Sequence, residues 1–270
     1  MTRPGGGRGQ RLAWYTASGL SAVLVLTGAA WQVRADAGAH GRTLAGDSGG
    51  RAVTALEVVA GASEVAVTPR GDRTVGYRAE LTWSSREPVI EESWLGDTLR
   101  LTPRCPSGSP TAATGPGCSV RLAVTVPAGM PVKLSAGSGR ISVSGLAGTV
   151  DAETGSGTLL LADLRGPLRA EVGSGTLRAT GLTVPRADIR AGSGRADVRF
   201  AAPPEQVTAR AGAGRLELVL PTDTRYRVTS RAGAGRCEVE DALNDPTADR
   251  TLDIAADAGH ARAARRQAAP

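Results

Sequence analysis

From residue 132 onward apolar and polar side chains alternate in short runs. Val132, Leu134 and Ala136 alternate with Lys133 and Ser135, and Ile141 and Val143 with Ser142 and Ser144. Val150, Ala152 and Thr154 alternate with Asp151 and Glu153, and later runs repeat the pattern at Leu159, Leu161, Leu168, Ala170 and Val172. Alternation with a period of two predicts strands with one buried face. Within each pair of runs stands a Gly-x-Gly phrase: Gly137 and Gly139, Gly155 and Gly157, Gly173 and Gly175, Gly192 and Gly194, Gly212 and Gly214, Gly233 and Gly235. A worn copy, Ala256-Asp257-Ala258-Gly259-His260, closes the series, and the second glycines follow at spacings of 18, 18, 19, 20, 21 and 24 residues.

A period near 20 with strand-like residues between the marks predicts an all-β solenoid, or β-roll, over residues 127–260. One coil is strand, Gly-x-Gly turn, strand and a second turn such as Gly145-Leu146-Ala147-Gly148. The glycines read as tight corners that need positive φ. About seven coils stacked at ~4.8 Å would form a rod ~30 Å long. Residues 241–249 are expected to protrude as a loop from the last full coil, and residues 261–270 to form a charged tail that blunts its end.

Residues 51–126 alternate less regularly, at Val53–Val59, Glu64–Thr68, Thr74–Trp83, Val89–Trp94, Thr98–Thr102 and Ser119–Val126. This irregular β region is expected to cap the solenoid, since a bare end would be an unpaired sheet edge. An independent small β-domain is the alternative. Cys105 and Cys118 flank a Pro/Gly/Ser/Thr loop, and their pairing as a disulfide suits an oxidising compartment. Cys237 falls in the apolar register beside Val239 and reads as a small buried hydrophobe, with an intermolecular disulfide as the other possibility.

The N-terminus sets the expected compartment. Residues 1–11 carry Arg3, Arg8 and Arg11 and no acid, and residues 12–33 run without a charge. That length can span a bilayer, and Trp14, Tyr15 and Trp31 stand at its ends as interfacial aromatics do. A single-pass anchor follows, with the short N-terminus cytoplasmic, residues 34–50 a flexible spacer and the rest extracytoplasmic. Cleavage of a signal peptide after Ala35-Asp36-Ala37, giving a secreted chain, is the alternative.

Composition narrows the function classes. Aromatic residues make up 3% of the chain, so the core must be aliphatic and narrow. The net charge is +6, Lys133 is the only lysine, and arginines alternate with acids along the strands. A solvated strand face explains this, and no nucleic-acid partner is implied. A surface for anionic polymers or lipids would require a clustered basic face.

With this layout in view, the chain resembles the bacterial putative-adhesin family of membrane-anchored β-strand-repeat envelope proteins. The features that carry it are the N-terminal apolar span, the Cys-bounded loop, Val124-Thr125-Val126-Pro127-Ala128-Gly129, the Gly-Ser-Gly coils and the Gly-Leu-x-Gly turn at Gly145, over roughly residues 50–260. The resemblance implies a membrane-tethered parallel β-roll, an association of some members with envelope-stress regulation, and no catalytic residues.

Candidate chemistry is sparse. No Gly-x-Gly extends to Gly-x-Gly-x-x-Gly, since residues 142 and 160 are Ser and Leu, and none leads into Gly-Lys-Ser or Gly-Lys-Thr. The residue after each pair is Arg or Thr, not the Asp of a calcium-binding roll. Only His40 and His260 could serve a triad or a histidine metal site, and Ser138, Ser156, Ser174 and Ser193 read as turn formers. Asp151 and Glu171 on neighbouring coils could pair for polysaccharide cleavage. No catalytic, cofactor or metal site is assigned. The expected function is therefore a non-enzymatic envelope protein that contacts a membrane partner or cell-wall polymer, or reports envelope state. A self-assembling β-helix scaffold is the alternative, and a polysaccharide-acting enzyme a more remote one. Recognition is expected on the outward residues Lys133, Arg140, Asp151, Glu153, Arg169, Glu171, Arg178, Arg190, Arg199 and Arg210, or on loop 241–249.

Overall fold

The computed structural model describes residues 40–106 and 117–266. The expected anchor at 12–33 and the cytoplasmic stretch before it lie outside the described residues. Among the described residues no helix is long and apolar enough to cross a membrane.

The first strands are β1 (His40–Asp47), β2 (Ala55–Val59), β3 (Glu64–Arg70), β4 (Gly76–Trp83), β5 (Val89–Leu95), β6 (Thr98–Arg104) and β7 (Ser119–Pro127). The regular strands follow: β8 (Val132–Ala136), β9 (Arg140–Ser144), β10 (Val150–Thr154), β11 (Thr158–Ala162), β12 (Leu168–Val172), β13 (Thr176–Leu182), β14 (Arg186–Ala191), β15 (Arg195–Phe200), β16 (Gln206–Ala211) and β17 (Arg215–Leu220). The last are β18 (Arg227–Ala232), β19 (Arg236–Val239), β20 (Thr251–Ala256) and β21 (His260–Arg265).

These strands form two sheets. The eleven-stranded sheet has the order β1-β4-β7-β3-β9-β11-β13-β15-β17-β21-β19, and the ten-stranded sheet β18-β20-β16-β14-β12-β10-β8-β2-β6-β5. Pairing is parallel through the middle, and antiparallel only where β1, β4 and β5 join at one end. Each Gly-x-Gly separates a strand of the ten-stranded sheet from one of the eleven-stranded sheet.

One aliphatic core lies between the sheets. Small residues of one sheet accompany large residues of the other: Ala152 and Ala170 are fully buried, as are Leu159 and Leu177. Full burial of each such leucine contributes about 1.5–3 kcal/mol. Cys105 and Cys118 form a disulfide, with Cα atoms 5.7 Å apart, and it links the end of β6 in one sheet to the start of β7 in the other. In the chain-entropy view, closing that loop contributes about 3 kcal/mol.

Chain order and spatial order part company at both ends. β2 and β3 lie between β6 and β7 on one side and β8 and β9 on the other. At the far end β20 pairs with both β16 and β18, and β21 with both β17 and β19. The last repeat in sequence is thus inserted beneath the one before it. This corrects the expected tail, because residues 261–265 are an interior strand. Ala261 and Ala263 point inward and are small enough for the narrow interior, while Arg262 points out. The terminal layer is β18 and β19, whose residues are exposed or half-buried.

Loop 241–249 does not simply protrude. It carries the chain back from the outer β19 to the inner β20, starting as a single 3₁₀ turn, Asp241–Leu243. Leu243 is buried beside the backbone of Tyr226, which accepts from Asp245 and donates to Leu243. The expected spacer is likewise strand over His40–Asp47, paired antiparallel with β4. Only Leu44 packs against the core there, so the side chains gave little signal. Gly46 of this strand lies under the Tyr77 ring, where an added Cβ would be 2.6 Å from the ring atoms.

The corner glycines need a second correction. None of the Gly-x-Gly residues has positive φ. What they require is close approach: a Cβ on Gly157 would overlap the carbonyl oxygen of Gly139, and one on Gly175 that of Gly157. The same holds for Gly194 over Gly175, Gly214 over Gly194, and Gly259 over Gly214. Positive φ belongs instead to the second corner, at Gly145 (72°), Asp163 (53°) and Gly181 (67°) in successive repeats. Aspartate is among the few non-glycine residues that tolerate this region.

Candidate interaction surface

Parallel in-register stacking lines up outward side chains in columns, with neighbours about 4.8 Å apart. On the ten-stranded sheet one column runs Lys133, Asp151, Arg169, Asp188, and the next Ser135, Glu153, Glu171, Arg190, Arg210. Arg169 and Arg190 are neutralised by neighbouring acids. Arg169 lies 3.7 Å from Asp151, 3.6 Å from Glu171 and 4.0 Å from Asp188, and Arg190 lies 2.9 Å from Asp188 and 3.8 Å from Glu171. Exposed pairs of this kind stabilise little, about 0–1 kcal/mol each. They do occupy Asp151 and Glu171, the carboxylates singled out for polysaccharide cleavage, since Arg169 lies between the two.

The eleven-stranded sheet is different. Its corner column runs Thr176, Arg195, Arg215, His260, Arg236, and the next column Arg178, Asp197, Glu217, Arg262, Glu238. Among the described residues, no carboxylate lies within 4.0 Å of Arg178, Arg195, Arg199, Arg215 or Arg262. Lys133, Arg186, Arg210, Arg227 and Arg231 of the ten-stranded sheet likewise have none; what sets the eleven-stranded sheet apart is that Arg195 and Arg215 line one cleft and Arg199 and Arg262 another.

Among the clefts on this side of the molecule, two are each lined by two of these arginines. One, of about 610 Å³, follows the Gly-x-Gly corners past Ser174, Ser193, Arg195, Arg215 and His260. All of its backbone amides but that of Gly175 are already engaged, because each corner donates to the corner beneath: Ser174 N to Gly155 O (2.7 Å), Ser193 N to Gly173 O (2.8 Å) and Gly214 N to Gly192 O (2.9 Å). The corners therefore cannot cradle a phosphate through the backbone. The other cleft, of about 560 Å³, is lined by Arg199, Glu217, Val219, Arg262, Ala264, Arg265 and Arg266.

The remaining candidates are scattered. His40 lies against Trp83 in the first strand, with ring centroids 5.8 Å apart, whereas Nε2 of His260 is 3.6 Å from Glu238 at the other end. Among the described residues no three His, Cys, Asp or Glu side chains converge as metal ligands. Cys237 is half-buried in β19, with Sγ 3.8 Å from the Ile254 carbonyl oxygen, and burial pushes its thiol pKa up. Burial, then the Glu92 carboxylate to which it donates, pushes the Tyr77 phenol up to about 12. Glu240 accepts from the Arg265 backbone N–H (2.9 Å) and guanidinium (2.8 Å), and these two bonds hold its carboxyl below the usual range. The arginines of β21 were hidden by the expected tail. Continuing the alternation past the worn Gly259, through Ala261, Arg262 and Ala263, would have found them.

No family model matches the chain, and no curated protein sequence does. Solved structures do share its fold. A putative adhesin from Bacteroides fragilis is 15% identical, with a TM-score of 0.52 over 83% of this chain and 97% of that one. A putative lipid binding protein from Parabacteroides distasonis is 12% identical, with a TM-score of 0.50 over 84% of this chain and 96% of that one. At these identities the likeness is one of fold.

Proposed function

We propose that the chain is a non-enzymatic cell-envelope protein: a β-solenoid, tethered by residues 12–33 and held outside the cytoplasm, that contacts other surface components through its outward sheet faces. The observation that carries this is the contrast between the faces. The ten-stranded sheet pairs Arg169 and Arg190 with Asp151, Glu171 and Asp188, whereas the eleven-stranded sheet sets Arg195 and Arg215, and Arg199 and Arg262, none with a carboxylate within 4.0 Å among the described residues, around two clefts. The Cys105–Cys118 disulfide supports an oxidising compartment. The fold shared with the Bacteroides fragilis adhesin supports a surface role. The test is crosslinking in cells from a photoreactive residue placed at Arg195, with Glu153 on the other face as comparison. Capture of an envelope protein or polymer from position 195 is expected. Capture of nothing, or equal capture from both positions, would remove the basis for the proposal.

A second reading has its own observation. The terminal layer offers two open strand edges, β18 and β19, with Val228, Cys237 and Val239 half-buried, and β21 does not blunt them. Open edges of this kind template pairing with another chain, which favours a scaffold assembled end to end. Light scattering over a concentration series separates the readings: growth in mass supports the scaffold, and a monomer at high concentration eliminates it.

A further inference from the structure

The cleft at the margin of the eleven-stranded sheet is built from residues far apart in sequence. Arg199 comes from β15, Val219 from β17, and Arg262 and Ala264 from β21, with Arg266 just beyond that strand. Arg266 reaches back over β17 and donates to the Phe200 carbonyl oxygen at 3.3 Å. That bond sets its guanidinium beside the residue following Arg199, so like charges are held on one site. Arg265 is neutralised by Glu240 at 2.8 Å. What remains is Arg199, Arg262 and Arg266, with Glu217 in the lining and Glu238 the in-register neighbour of Arg262, over a floor of Val219 and Ala264.

Gathering like charges without a counterion costs free energy unless an anion completes the site. Guanidinium groups bind phosphate oxygens with two parallel hydrogen bonds. The small apolar floor suits the carbon backbone between phosphates. We propose that this cleft binds the phosphate groups of an extended phosphodiester polymer laid along the sheet.

A polymer fits better than a membrane surface. Glu217 and Glu238 flank Arg262 in its own column, and with Asp197 they would repel a flat anionic plane. A narrow chain can run over Val219 and Ala264 between Arg199 and Arg266, beside that column, and be reached by Arg262 from it. Bilayer insertion also needs exposed apolar side chains, and the large ones among the described residues, Val89 and Leu95, are on β5 at the opposite end.

The surface-protein reading supplies the place where such a polymer would be met; the binding chemistry stands apart from it. The test is calorimetric titration of the full chain, in neutral detergent, with synthetic poly(glycerol phosphate). Binding is expected to weaken about tenfold or more in Arg199→Gln/Arg262→Gln, as charge-assisted hydrogen bonds are lost. Arg266→Gln alone should give part of that loss. The control Lys133→Gln/Arg210→Gln, on the ten-stranded sheet, should bind as the parent does. The arginines are at the surface, so an unchanged thermal midpoint shows that the variants fold. Glycerol 1-phosphate and phosphatidylglycerol vesicles are titrated in parallel. Failure of the polymer to bind, equal weakening in the control, or binding of the monomer or vesicles as tight as the polymer's would overturn the proposal. Crosslinking in cells could still succeed after any of these results, so the two ideas fail separately.

Discussion

Replacing Gly157 with alanine tests the physical cause of the repeat. The added Cβ would overlap the Gly139 carbonyl oxygen and lie 2.7 Å from Thr154 Oγ1 and 3.0 Å from the Gly139 carbonyl carbon. The overlapped oxygen already accepts from Thr158 N at 3.0 Å, and Gly157 N donates to Thr154 Oγ1 at 3.2 Å inside the protein. Both neighbours are fixed, so the corner must move. Overpacking of this kind costs about 1–3 kcal/mol. A buried donor left without its partner adds about 1–3 kcal/mol. The stiffer unfolded chain offsets about 0.4–1 kcal/mol. The net expectation is a loss of about 2–4 kcal/mol, or several degrees in midpoint for a chain of this size. Denaturant unfolding followed by circular dichroism measures it. Gly129→Ala is the control, because a Cβ there meets nothing within 4 Å and φ is not positive. It should change stability by less than about 0.5 kcal/mol. Gly157→Asn separates close approach from backbone conformation. Asparagine would be tolerated if the corner needed positive φ, and should be at least as harmful as alanine if space is the constraint. A Gly157→Ala protein as stable as Gly129→Ala would refute the close-approach account.

Two further expectations concern the C-terminal end. The Tyr226 side chain is fully buried and its hydroxyl has no hydrogen-bond partner, so Tyr226→Phe should stabilise by about 1 kcal/mol, read from the denaturation midpoint; a clear loss would mean that the hydroxyl is satisfied. Glu240 has a lowered carboxyl pKa in the folded protein, owing first to the Arg265 backbone N–H and then to its side chain. A depressed carboxylate stabilises above its unfolded pKa, about 4.3, and that contribution is lost as pH falls through the lower folded value. The stability difference between parent and Glu240→Gln should therefore hold between pH 6 and 8 and shrink below about pH 4; a difference that grew on acidification would contradict the Glu240–Arg265 interaction.

The strands were legible because burial alternates residue by residue. Val132 to Ala136 and Val150 to Thr154 show their inward faces in sequence alone. The strand at His40–Asp47 was not, since its pairing with β4 is made by backbone groups and only Leu44 marks an inward face. The layer order was not legible either. Parallel pairing of β20 with β16 or with β18 satisfies the same alternation, so periodicity cannot choose between them. The glycines were seen but misattributed, because a requirement for space and one for positive φ select the same residue. The basic cleft escaped notice for a related reason. Arg199 and Arg262 are 63 positions apart, and only the insertion of β21 beside β17 brings them to one site.

The central claim is that the body of the molecule lies outside the cytoplasm. Thr229 is exposed on the terminal strand β18, so a Thr229→Cys residue in a Cys237→Ser background offers a single accessible thiol. Labelling of intact cells with a membrane-impermeant maleimide measures its location. Modification before lysis is the predicted result, and modification only after the cells are opened would contradict the account.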